Sequence, residues 1–253
     1  MNEYDSCIFL SGDNTVEWKD VFSKMKPGAH AVAICPVLKH HRITQSIEDS
    51  GFEIRDSILF LGEPSFIATL ARVPLEGTVA ENVLKHGVGA LNVDECRIDA
   101  PDNKGKVWVR GGAGVNARSG PKAAQTKQQL NGETELVKPH EARRWPANCI
   151  LGGNMDEKFP VTTSGGGVRR PKPWKTVNAY FFDQQASDYK MDASTGSAAR
   201  FFYNVTEDDK LQGLVAYLHK LITPPGGKVL VYNVPADAIM ELRNKSSDII
   251  EFS

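Results

Sequence analysis

The chain has 253 residues, 41% hydrophobic and 24% charged, which suffices for one sizeable core or a core plus an insertion and excludes a disordered or fibrous protein. No apolar stretch reaches the length of a membrane span, and the N-terminus lacks a basic region followed by an apolar run, so a soluble protein with no membrane partner is expected, with the cytoplasm as its location. The formal net charge of −1 hides a split: residues 101–175 hold fourteen Lys and Arg against six Asp and Glu, a balance of +8 that leaves −9 for the rest.

In chain order, residues 5–10 form an apolar run that predicts a strand, and Val16, Val21, Phe22 and Met25 have helical spacing. Lys26-Pro27-Gly28 reads as a turn into a second strand over 30–35, which completes a β-α-β unit. Residues 39–50 predict a helix ended by Gly51, and 52–61 and 65–73 predict two more strands that pair as an antiparallel edge. Alternating strands and helices argue for an α/β fold with a mixed, mostly parallel sheet.

Residues 79–86 then read as a helix and 91–98 as extended chain, followed by a basic, loop-rich stretch. Its punctuation is Gly111-Gly112-Ala113-Gly114, Gly152-Gly153 and Gly165-Gly166-Gly167. Leu211, Leu214, Val215, Leu218, Leu221 and Ile222 define an amphipathic helix. A Pro224-Pro225-Gly226-Gly227 turn feeds a β-branched strand, a short helix over 236–242 and a last strand over 248–252. Strand, turn, helix and strand make half of a nucleotide-binding unit, whose turn normally carries glycines so that backbone can approach a cofactor. Residues 231–237 carry none.

Cys7, Cys35, Cys96 and Cys149 are dispersed, which predicts free buried thiols with neither a disulfide framework nor a metal site. In the basic segment Lys138, Arg143, Arg144, Trp145 and Asn148 cluster. Guanidinium groups suit phosphates and guanine edges, an amide suits adenine, and a Trp either stacks on a base or anchors a loop. Arg169, Arg170, Lys172 and Lys175, interleaved with Pro171, Pro173 and Trp174, read as an extended arm for phosphates. Phe181-Phe182 and Phe201-Phe202-Tyr203 read as packing residues that tie this region to the sheet.

Four phrases carry a family likeness: Glu81-Asn82-Val83-Leu84-Lys85-His86-Gly87 with its continuation to Asp94, the Arg144-Trp145-Pro146-Ala147-Asn148 run, Gly196-Ser197-Ala198-Ala199-Arg200-Phe201-Phe202-Tyr203, and Thr223-Pro224-Pro225-Gly226-Gly227-Lys228. They resemble the phage and prophage site-specific DNA methyltransferases that modify the exocyclic amine of adenine or cytosine. The resemblance implies a Rossmann-like methyltransferase sheet from residues 1–75 and 205–253, with a target-recognition-like basic region over 76–204.

In that family the first strand ends in Asp/Asn/Ser-Pro-Pro-Tyr/Phe/Trp, which holds the target amine and stacks on the flipped base. Here the corresponding positions are Ser11, Gly12, Asp13 and Asn14, which equally suit a turn that caps the next helix. The family's glycine loop for S-adenosylmethionine is replaced by Val231 through Asp237, and Glu207-Asp208-Asp209-Lys210 stands where a His-Pro-Thr-x-Lys-Pro phrase is expected. Glu251 is the remaining candidate for a cofactor ribose.

Three functions follow. One is a DNA-binding, catalytically inactive methyltransferase homologue with no cofactor: a decoy, a regulator or a subunit of a modification complex, in the host cytoplasm if phage-encoded. Another is an active S-adenosylmethionine-dependent enzyme with divergent motifs or a partner subunit. The last is a protein-binding module on the same fold.

Overall fold

A computed structural model describes residues 3–11, 16–99, 108–109, 136–137, 143–146, 148–165, 167–169, 189–191, 193–205, 210–244 and 248–252. Strands β1 (Tyr4–Leu10), β2 (Met25–Pro36), β3 (Glu53–Leu61) and β4 (Phe66–Arg72) come first, with helices α1 (Trp18–Lys24) and α2 (His40–Asp49) between them. Helix α3 (Val79–His86) and the short strands β5 (Ile98–Asp99), β6 (Trp108–Val109), β7 (Leu136–Val137) and β8 (Arg143–Arg144) follow. Then come β9 (Cys149–Gly152), β10 (Val161–Ser164), β11 (Gly167–Arg169), β12 (Tyr189–Met191), β13 (Ser194–Ser197) and β14 (Tyr203–Val205). The chain closes with α4 (Lys210–Ile222), β15 (Lys228–Tyr232), α5 (Ala236–Asn244) and β16 (Asp248–Phe252).

Eight strands form the main sheet in the order β14-β9-β3-β4-β2-β1-β15-β16. Only β4 runs against its neighbours; every other pairing is parallel. The sheet is therefore the mixed, mostly parallel one that the alternating pattern predicts.

Side chains of each central strand alternate between two cores. On one face Ile8, Val32, Ile34 and Val231 pack with Leu214, Leu218 and Leu221 of α4 and Ile239 and Leu242 of α5. On the other, Cys7, Phe9, Ala31, Ala33 and Leu230 pack with Trp18 and Val21 of α1 and Ile47 of α2. Five aliphatic residues that α4 buries (Leu214, Val215, Leu218, Leu221, Ile222) each stabilise the fold by roughly 1.5–3 kcal/mol before ordering costs.

Three local expectations are corrected. The β3–β4 pair is antiparallel but lies inside the sheet, because β9 and β14 continue it beyond β3. Thus two strands from the 76–204 region belong to the main sheet. Residues 91–98 are largely turns, closed by Cys96 N–H to Val93 O and Arg97 N–H to Asp94 O, and only Ile98 at their end is extended. Lys26-Pro27-Gly28 is a bulge within β2: Tyr4 faces Met25 and Ser6 faces His30, so the excess residues loop out, with Gly28 at φ 79°.

The two ends of the chain meet in the sheet. Cys7 pairs with Leu230 and Phe9 with Tyr232, as expected of the first strand and the strand after the Pro-Pro-Gly-Gly turn. Side chains lock that junction: Ser6 Oγ and Thr223 Oγ1 lie 2.8 Å apart, and Asp5 accepts from Lys26 Nζ at 2.6 Å and from the Lys228 N–H at 2.7 Å.

Candidate functional site

From β1 the chain crosses to β2 over the α1 face, whereas from β15 it crosses to β16 over the α5 face. The strand order therefore reverses between β1 and β15, and open α/β sheets place ligands outside the carboxyl ends at such a reversal. Ser11, just beyond β1, donates its N–H to Ile34 O at 2.8 Å, so it caps the sheet at that point. Gly12, Asp13 and Asn14 lie outside the described residues.

Across from Ser11, Asn233 follows β15 with φ 55°, a left-handed conformation in which a glycine would be unstrained. Its Nδ2 is buried without a hydrogen-bond partner, and Val234 beside it is buried. Burial pushes the Tyr232 hydroxyl up to about 12, and the Cys35 thiol near the end of β2 up to about 11 against the pull of Lys39. Both stay protonated at neutral pH, so neither is an anionic nucleophile. Glu251 pairs with Val231 at the far side of β15, in backbone register only.

A second locus lies where the chain enters β9 and β14. Ser197 caps the turn before β14 by accepting the Ala199 N–H at 3.1 Å, and Arg200 Nη1 donates to Ser197 O at 3.0 Å. This presents Phe201, 38% exposed, while Phe202 packs on Phe159 and Tyr203 on Tyr217. The guanidinium of Arg144 lies 4.6 Å from the Phe201 ring centre and that of Arg200 4.7 Å. Two cations thus share one ring, and Arg144 Nε is buried without a hydrogen-bond partner. Trp145, next in the chain, is 37% exposed. Asn148 is engaged with β3: its Nδ2 donates to Asp56 Oδ2 at 2.5 Å and its carbonyl accepts the Leu59 N–H, which fastens β9 to β3.

Of the other expected nucleic-acid residues, Arg143 is placed in β8 and Arg169 in β11 by backbone alone. Lys138, Arg170, Lys172 and Lys175 lie outside the described residues, as do Phe181 and Phe182. Phe201 and Arg200 were read from sequence as part of a packing run and a family phrase. The signal that could have found them is an Arg directly before an aromatic triplet that has more rings than a three-residue strand can bury.

Among the described residues all four cysteines are free, no group of His, Cys, Asp or Glu could hold a metal, and no helix is long and apolar enough to cross a membrane. A cavity of about 450 Å³ opens beside the amino end of β15, between Tyr203, Tyr217, His219 and Pro224, away from the carboxyl edge. No residue singled out for chemistry from the sequence lines it.

No protein-family model matches the chain, and no curated protein sequence matches it. Among solved structures it is similar to the crystal structure of an M1.HpyAVI–SAM complex, at 12% identity and a TM-score of 0.41, covering 98% of this chain and 81% of that one. A crystal structure of M1.HpyAVI is similar at 11% identity and a TM-score of 0.41, covering 98% and 78%.

Proposed function

We propose that this chain is a DNA-binding protein on a methyltransferase-like fold that has kept the fold-bearing phrases and lost methyl transfer. The observation that carries DNA binding is the Arg144–Phe201–Arg200 group. Two guanidiniums gathered on an exposed ring beside an exposed Trp offer charge for phosphates and flat surfaces for bases. Arg144 and Trp145 belong to the segment 101–175 with its balance of +8, which supports the same partner. On this reading residues 76–204 carry the DNA-facing surface and also lend β9 and β14 to the sheet that residues 1–75 and 205–253 otherwise build, in the cytoplasm.

The residues after β15 do not fit S-adenosylmethionine in the family's manner. Where a glycine loop would bring backbone to the cofactor, Tyr232, Asn233 and Val234 place side chains, and Asn233 takes up the left-handed conformation itself. Ser11 lacks the two prolines and the aromatic that hold and stack a flipped base. The reading includes a role as decoy, regulator or subunit of a modification complex. One observation favours a second reading, a divergent active enzyme: the buried, unpartnered Asn233 amide at the strand-order reversal is a donor free for a ligand.

Paired titrations test both. The purified chain is expected to bind duplex DNA at low salt, to give no calorimetric heat with S-adenosylmethionine, and to transfer no methyl group. Micromolar cofactor binding lost in Asn233→Ala would put the second reading first. A folded chain that ignores DNA would refute the proposal.

A further inference from the structure

The turn that leaves β2 at the carboxyl edge of the sheet was not singled out in the sequence, yet it is the most exposed apolar point among the described residues after α3. Pro36 ends β2, and Val37–Lys39 form one tight 3-10 turn that leads into α2. Val37 is 50% exposed and Leu38 87% exposed. Lys39, His41 and Arg42 follow, all exposed, and no carboxylate is paired with Lys39 or Arg42 among the described residues. A solvated helix start would favour acidic residues in its first turn, and α2 has none there. The tip is thus an apolar point with cations around it.

Strand register relates this tip to the Phe201 group. Pro36 faces Phe66, Phe66 faces Phe60, Phe60 faces Ile150 and Ile150 faces Tyr203, so these five residues make one row across the sheet. Val37 and Leu38 continue from one end of the row, and Phe201 and Phe202 lead into the other. Four strand spacings of about 4.8 Å separate the ends by about 19 Å, which is about six base pairs of duplex.

We propose that the Leu38 tip is a second duplex-DNA contact, with Lys39 and Arg42 on phosphates and Leu38 against sugars or a base step in a groove. The inference rests on the DNA-binding reading above and adds a place and a chemistry to it. Because β2 and β14 run parallel, the tip leaves the row on the carboxyl side and the Phe201 group enters it from the amino side, so a duplex crossing the row obliquely meets one group at each end. Leu38 contributes contact without charge, in the manner of apolar wedges at base steps.

The test is the salt dependence of duplex binding, by fluorescence anisotropy, for the full chain and three variants, with melting recorded for each. Losing two phosphate contacts in Lys39→Gln/Arg42→Gln is expected to lower the slope of log affinity against log salt by about 1.8. Leu38→Ser is expected to lower affinity about tenfold with the slope unchanged. Lys220→Gln/Lys228→Gln removes the same charge near the amino end of β15 and is expected to leave the slope as it is. Wild-type binding with Lys39→Gln/Arg42→Gln indistinguishable from this control overturns the inference and leaves the DNA-binding reading standing. No duplex binding by the folded wild type overturns that reading, and the inference with it.

Discussion

Acid should weaken this fold through His30 as pH falls below about 6.5. His30 lies in β2, 3% exposed, level with Ser6 on one side and Arg72 on the other. Burial and then the positive charges of Arg72 and Arg55 lower its pKa from 6.5 to about 4. The folded state therefore keeps the ring neutral while the unfolded chain binds a proton, so the stabilisation is complete above about pH 6.5 and is lost as pH falls towards 4. Between those values one extra proton on the unfolded chain costs about 1.4 kcal/mol per pH unit, and from pH 7 to pH 5 the loss is about 2 kcal/mol. Urea unfolding of wild type and His30→Leu at both pH values and constant ionic strength isolates the effect. The wild type should lose about 2 kcal/mol more than the variant on going from pH 7 to pH 5, whatever their difference at pH 7. Equal losses in the two proteins would refute the assignment.

Asn82 is fully buried; its Nδ2 donates to Pro27 O at 2.9 Å and Val88 O at 2.8 Å, and its Oδ1 accepts the Glu76 N–H. Asn82→Ala should cost about 3 kcal/mol in chemical denaturation, because three backbone groups lose their partner. In Gly152→Ala a new Cβ would lie 2.2 Å from Phe60 Cζ, so thermal melting should show a loss of about 1–3 kcal/mol. Arg144→Gln should reduce the salt slope of DNA binding by about 0.9, and neutralising Arg169 and Arg170 together by about 1.8, as measured by anisotropy. Trp145→Ala needs melting and DNA affinity measured on the same protein: lower affinity at unchanged melting marks a base contact, and lower melting a loop anchor.

The strands and helices with a strong local pattern were legible. Residues 79–86 and 211–222 fall within a residue of α3 and α4, because a capping Thr78 or a sustained apolar stripe fixes each helix by itself. What sequence could not show is how short segments borrow order from distant ones. Cys149–Gly152 and Tyr203–Val205 are three or four residues long, and they are strands because β3 supplies the free edge for β9 and β9 in turn the edge for β14.

The family-like phrases turn out to hold structure at each place. Asn82 ties three backbone groups, Asn148 fastens β9, Ser197 caps the turn before β14, and Thr223 meets Ser6. Such phrases report a fold more directly than an activity. The Phe201 group escaped notice because its members come from two segments more than fifty residues apart, and only folding gathers them.

The place of β1 sets a timetable for synthesis. One of its edges is covered by β2 within the first 36 residues, while the other waits for β15, which starts at Lys228. At ordinary translation rates that edge stays open for about 10–40 s, and even then β15 must clear the ribosome. Throughout that interval the nascent chain presents an apolar β-strand, Ser6 to Leu10, with unsatisfied backbone on one side. Expression yield should then respond to chaperone supply and growth temperature more than to the stability of the finished protein. A circular permutant that opens the chain elsewhere and joins β16 to β1 by a crossover linker of about a dozen residues or more, since these strands run parallel, would shorten the wait, because β15 and β1 would be made in succession.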